Sequence, residues 1–204
     1  MYQQMFRIKY IVPLLYCLLI LVVYAIEKVD PSIIETYAVL PQHPDHLIGI
    51  VTAVFIHGGM EHLSSNILPL AICLFGLFHF YSEIALKVTL LAHVFSGALV
   101  WIFARHVYHV GASGLIYALI FFVLISALIK RNKQLTVFAF IVLVFQGGLM
   151  WGLVPQNNGI SWESHLLGAI TGCILAVVFR HQGPPPDMVI HLDDDEDVDE
   201  YLNL

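Results

Sequence analysis

The sequence predicts an all-α membrane protein built from six transmembrane helices. Three observations carry this expectation. Hydrophobic residues make up 59% of the chain and charged residues only 12%, about half the charged share of a soluble domain (~25%), and the mean hydropathy is +0.82. Apolar stretches near the ~20 residues that cross ~30 Å of hydrocarbon recur along the sequence. Lys and Arg gather at the ends of these stretches rather than within them.

Each span has its own justification. The first, 10–26, follows Arg7 and Lys9. Val23-Tyr24-Ala25 resembles a leader-cleavage site, but the apolar stretch is long for a leader, so a retained helix is expected. Residues 27–61 are too many for a turn. With Pro31, Pro41, Pro44 and two semi-apolar runs, they should form a structured loop lying partly in the membrane interface. Spans 63–81, 86–104, 113–129, 135–153 and 165–180 follow on short connections. Cys17, Cys73 and Cys173 lie inside apolar spans without metal-ligand spacing and read as buried thiols.

Residues 1–183 therefore form one membrane domain, and 184–204 an acidic, disordered cytoplasmic tail. The tail opens on Pro184-Pro185-Pro186 and holds Asp187, Asp193, Asp194, Asp195, Glu196, Asp197, Asp199 and Glu200. It dominates the net charge of -6. With the N-terminus inside, Arg7, Lys9, Lys87, Lys130, Arg131, Lys133 and Arg180 fall on the cytoplasmic side. Only Lys28 and Arg105 fall outside. That bias puts both termini in the cytoplasm.

Three polar groups interrupt the apolar pattern at one depth. Counting back from the charge that ends each helix, at ~1.5 Å per residue, Ser113 lies ~25 Å above Lys130, His165 ~22 Å above Arg180, and Asn66 ~25 Å above Glu83. Polar groups buried in a bilayer are costly, so these should face one another or a water-filled cavity. Gly111-Ala112-Ser113-Gly114 opens the fourth span, and its glycines allow a sharp entry and close helix approach. Tyr117, at i+4, shares the serine's face. The same motif also suits simple helix packing. On the sixth span, His165, Gly168 and Gly172 form a small-residue stripe that would bring the imidazole up to a neighbouring helix. A histidine beside a serine is what activates a hydroxyl nucleophile, although a histidine here could equally line a loop. On the second span His62 and Asn66 share a face, and both can donate to a developing oxyanion. His57-Gly58-Gly59 reads as a turn, and without HExxH-type spacing no metal is expected from His57, Glu61 and His62.

Taken together, these residues resemble the rhomboid intramembrane serine proteases over roughly 47–180. The resemblance rests on His57, His62 and Asn66 around the second span, Gly111-Ala-Ser113-Gly114-Leu-Ile-Tyr117-Ala-Leu119 opening the fourth, and His165-Leu-Leu-Gly168-Ala-Ile-Thr-Gly172 on the sixth. It implies a six-helix rhomboid-like bundle with a Ser113–His165 dyad and no acidic third member. It further implies an oxyanion hole from the Ser113 N–H, His62 and Asn66, with Tyr117 stacked on His165 and His57 supporting the adjoining loop. One departure stands out. Where many bacterial relatives carry a Trp-Arg pair in the first loop, this chain has Ile48-Gly49, which puts that loop's conformation and lipid contacts in question.

The expected activity is endopeptidase cleavage of transmembrane segments of membrane proteins in a lipid bilayer, with a small residue preferred just before the cut bond. No cofactor, metal or nucleic-acid partner is expected. A bacterial cytoplasmic membrane is the expected location. Polar Gln156, Asn157, Asn158 and Ser161 are candidates for a mobile cap over the site. Two alternatives stay open: a catalytically silent rhomboid-like protein that binds transmembrane segments, and a small transporter, although no repeat symmetry supports the latter.

Overall fold

A computed structural model describes residues 2–145, 152–155 and 161–187. Helix α1 (Tyr2–Val29) leads into short α2 (Ser32–Tyr37), the helical turns Pro44–His46 and Ala53–Phe55, and between them α3 (Gly49–Thr52). Long helices follow: α4 (Met60–Phe80), α5 (Ala85–Phe103), α6 (Ser113–Lys130), α7 (Lys133–Phe145) and α8 (Trp162–Val178). Helix is the only regular structure that satisfies every backbone group within one segment, which an apolar surrounding demands.

Among the described residues four helices have the length and apolarity to cross a membrane: Lys9–Val29, Met60–Phe80, Ala85–Phe103 and Ser113–Lys130. The fifth and sixth expected spans appear as shorter apolar helices, Lys133–Val144 and Trp162–Val178. Most of the expected continuation of the fifth span, 146–151, lies outside the described residues. Large apolar side chains point outward along the long helices, among them Leu14, Leu18, Phe103, Leu128, Phe140 and Val178. Such a surface suits lipid rather than water.

Helix α6 is the centre of the bundle. Its run from Gly114 to Ile120 is buried on all sides, and it packs against α4, α5, α7 and above all α8. The α6–α8 contact is backbone-close because of two glycines. A methyl on Gly168 would strike the Gly114 carbonyl, and one on Gly172 the Ala118 carbonyl. Helix α6 ends on Arg131 in the left-handed region, φ 50°. Helix α7 then starts under two caps: Asn132 Oδ1 accepts the Leu135 N–H at 2.9 Å, and Asp187 Oδ2 accepts the Lys133 N–H at 2.7 Å. Asn132 Nδ2 also donates to the Pro185 carbonyl at 2.9 Å. The start of the acidic segment is therefore held on the α6–α7 turn, while 188–204 lie outside the described residues.

The long first connection is structured, and three contacts anchor it. Val39 and His109 exchange backbone hydrogen bonds of 3.1 and 2.8 Å, an isolated antiparallel bridge. His93 on α5 links its two ring nitrogens to the Val51 carbonyl (2.9 Å) and the Tyr16 hydroxyl (3.0 Å). Gly49 lies against the Ala38 carbonyl so tightly that a Cβ would collide with it. The Ile48-Gly49 pair thus gives this loop a close backbone approach that a larger residue at 49 would prevent.

Candidate functional site

Ser113 stands at the first position of α6. Gly111 makes the entry possible: its φ of +104° is a conformation that other residues rarely adopt, and its N–H is held by the Ala53 carbonyl at 2.9 Å. Ala112, the residue before the helix, provides no side-chain cap. The backbone N–H groups of the first turn therefore remain available around Ser113. Ser113 itself is half-buried.

Helix α8 brings His165 to this place. The start of α8 is fixed by Ser161, whose hydroxyl oxygen accepts the Ser164 N–H at 3.3 Å and pairs with Ser164 Oγ at 2.7 Å. His109 Nε2 donates to the Arg105 carbonyl at 3.0 Å, so His109 Nδ1 accepts from the Ser161 hydroxyl at 2.6 Å. Burial keeps His109 below the usual imidazole range, consistent with this neutral form. An ion pair of 3.0 Å joins Arg105 to Glu163 beside it. Ser161 is thus not part of a mobile cap, as the sequence suggested, but a helix cap locked to the α5–α6 connection. Gln156, Asn157 and Asn158 lie outside the described residues.

The imidazole of His165 lies flat on the phenol ring of Tyr117, with centroids 4.3 Å apart and planes 5° from parallel. Its Nδ1 is 2.9 Å from the Gly152 carbonyl. A carbonyl oxygen can only accept, so Nδ1 carries the proton and Nε2 keeps its lone pair. Gly152 fits only without a side chain, since a Cβ would meet the Tyr117 hydroxyl and His165 Nδ1. Among the described residues no hydrogen bond joins Ser113 Oγ to His165.

The third wall comes from α4 and the turn before it. Gly58 has φ +68°, and the Gly59 N–H returns to the His57 carbonyl at 2.8 Å. His62 Nδ1 donates to that same carbonyl at 2.9 Å. The ring of His62 presses on Gly111, leaving no room for a Cβ there. Asn66 is buried; its Nδ2 donates to the His62 carbonyl at 2.8 Å, while its Oδ1 has no partner among the described residues. His57 packs 5.1 Å from the His62 ring, centroid to centroid. Burial, aided by His62, pushes the His57 imidazole down to about 4. Among the described residues no three His, Cys, Asp or Glu side chains are grouped to hold a metal.

Direct contacts tie the sequence-predicted residues into three groups, with Ser113 beside Gly114 at the head of α6. Gly114, Gly168 and Gly172 close the α6–α8 seam, Tyr117 and His165 stack beside it, and Gly111, His62, Asn66 and His57 form the facing wall. One residue was not anticipated. Glu27, buried near the end of α1, accepts the His57 and Gly58 N–H groups, one on each carboxylate oxygen, both at 2.9 Å. Behind Gly111 and Gly114 a cavity of about 40 Å³ reaches His93, Ser96, His109 and Ser164. Its lining is mostly apolar, with these four polar side chains among it, and it is large enough for a water.

Residues 44–182 match the family model described as the Rhomboid domain. The chain belongs to the rhomboid family. It is similar to a Mycobacterium tuberculosis protein of uncharacterized function, 29% identical over 172 residues, covering 78% of this chain and 70% of that protein. A Mycobacterium leprae protein, likewise uncharacterized, is 32% identical over 146 residues, or 65% of this chain and 56% of its own length. A protein of Acanthamoeba polyphaga mimivirus, provisionally named a rhomboid protein, is 28% identical over 151 residues, or 65% of this chain and 75% of that one. Family and helices together make this rhomboid a multi-pass integral membrane protein.

Proposed function

We propose that this rhomboid is an intramembrane serine endopeptidase that cleaves transmembrane segments of other membrane proteins. The observation that carries the reading is the state of His165. Stacking on Tyr117 fixes the ring, and the Gly152 carbonyl holds the proton on Nδ1. Nε2 is left as a base on a helix packed backbone-close against Gly114, the neighbour of Ser113.

In this reading Ser113 Oγ attacks a substrate carbonyl while His165 Nε2 takes the hydroxyl proton. The oxyanion is met by the Ser113 N–H with His62 and Asn66. His165 returns the proton to the leaving amine, and a water then hydrolyses the acyl-enzyme. Tyr117 keeps the imidazole in place where no carboxylate does. Six spans, with α7 and α8 as the fifth and sixth, and cytoplasmic termini complete the proposal. A transmembrane substrate must unwind locally to expose its carbonyl, so Gly- or Pro-weakened segments near the outer boundary are favoured.

Two observations favour a catalytically silent rhomboid that only binds such segments. Ser113 and His165 share no hydrogen bond, and the Asn66 amide is engaged by its own helix. Catalytic hydrogen bonds often form only with substrate bound, so the protease reading stands ahead. A fluorophosphonate probe in detergent tests it, together with cleavage of tagged single-span proteins. Both signals are expected in the wild type and absent from Ser113→Ala and His165→Ala. Binding of a membrane peptide with neither signal would establish the silent protein instead.

A further inference from the structure

Glu27, two residues before the end of α1, is only 4% exposed. Its two oxygens each hold one backbone N–H, from His57 and Gly58. Those donors open the turn that presents the His57 carbonyl to His62 Nδ1. A carbonyl has no proton to give, so Nδ1 of His62 must carry one. In the neutral ring Nε2 is then a bare lone pair. That nitrogen is the one pressed against Gly111, two residues before Ser113. A lone pair repels a developing oxyanion, and only the imidazolium presents an N–H at Nε2.

The ionisable groups around this ring come from several elements. Glu27 approaches from α1, His57 from the turn at 5.1 Å between ring centroids, His165 from α8, and exposed Glu61 lies next to it on α4. Glu163, near His165, is paired with Arg105. Among these, Glu27 is the buried carboxylate tied to the turn that His62 itself grips.

We propose that Glu27 is a positioning residue for His62: through the His57–Gly58 turn it locks His62 in the Nδ1–H form, so that His62 can donate to an oxyanion only as an imidazolium, with the buried carboxylate as the balancing charge. The proton comes from water and joins Nε2. The catalytic consequence rests on the protease reading, whereas the ring's protonation state and its dependence on Glu27 do not.

The test uses the full chain in detergent micelles with 15N-labelled histidine, the His62 signals being identified by their loss in His62→Gln. Neutral His62 is expected to show a protonated Nδ1 and a bare Nε2; the opposite tautomer overturns the proposal. In Glu27→Gln the ratio of imidazolium to neutral His62 is expected to fall about tenfold at a given pH, because a nearby carboxylate favours the charged ring. An unchanged ratio overturns the role of Glu27. Should Glu27→Gln fail to fold, Glu27→Asp keeps the charge but draws it back from the turn; the ratio is then expected to fall by a smaller factor, and an unchanged ratio overturns the role of Glu27 there too. Probe labelling of Ser113 across pH reads the catalytic consequence. Glu27→Gln should move the alkaline fall of labelling to lower pH, and a uniform loss at every pH would reduce Glu27 to a structural part. A wild type that never labels would defeat the protease reading and with it the catalytic consequence, while the tautomer and the ratio still decide the rest.

Discussion

Replacing Gly168 by alanine tests whether the α6–α8 seam sets the alignment of Ser113 and His165. The added methyl would land on the Gly114 carbonyl, a rigid backbone group, with the Gly114 carbonyl carbon 3.0 Å and Cα 3.2 Å away. Neither helix can relieve this by turning a side chain, so α8 must retreat by roughly 1 Å to regain an ordinary contact. Overpacking of this kind costs about 1–3 kcal/mol, offset by about 1 kcal/mol because alanine suits a helix better than glycine. Stability should therefore fall by at most ~2 kcal/mol. Activity should fall much further. His165 lies one turn before Gly168 and moves with it, and a misplacement of ~1 Å can cost ~100-fold in rate. The assay is the rate of fluorophosphonate labelling at Ser113, paired with thermal unfolding in the same detergent. Ile170→Ala, on the exposed face of the same helix, serves as control and should label like wild type. Wild-type labelling and cleavage by a folded Gly168→Ala would refute the argument that this contact positions the dyad.

Other expected outcomes follow from the same geometry. Tyr117→Ala removes the ring that lies flat on His165; labelling should drop at least tenfold while circular dichroism shows a helical, folded protein. Gly111→Ala meets both a φ of +104° and the His62 ring, so melting should show a loss of about 1–3 kcal/mol together with loss of labelling. The burial of neutral His57, held down to about 4, makes stability pH-dependent. The unfolded chain binds its proton near 6.5, so the contribution is complete above that pH and is lost as pH falls toward 4. Denaturant titrations between these limits should show a decline of roughly 3 kcal/mol or less, flattened in His57→Gln. Asn132→Ala removes a cap from α7, and unfolding should register a loss of about 1 kcal/mol.

The site was more legible in the sequence than the elements around it. Ser113 and Tyr117 are separated by one helical turn, and His165, Gly168 and Gly172 lie on one stripe, so helix geometry alone places each set on a face. Glu27 escaped notice because its partners are backbone N–H groups thirty residues away, and such bonds leave no spacing to read. His109 is as hard to read for a related reason: its ring fixes the Ser161 cap of α8 across the fold, fifty-two residues away. Ser161 was misassigned because a polar residue beside a glycine-containing loop looks like a surface, while its role is set by a hydroxyl pairing across the fold. Helix ends also differed from the apolar spans. Hydropathy marks transfer out of water, whereas α1 continues beyond both ends of its apolar stretch, Tyr2 to Val29, because the backbone still satisfies itself there.

The Gly152 carbonyl has a wider meaning. It grips His165 where many hydrolases place a carboxylate, yet a peptide oxygen brings only a partial dipole to a ring that would turn cationic during turnover. An enzyme arranged this way would run slowly at rest. It would also be throttled mechanically, since displacing the backbone at Gly152 would unseat the imidazole without any change in acidity or ligand.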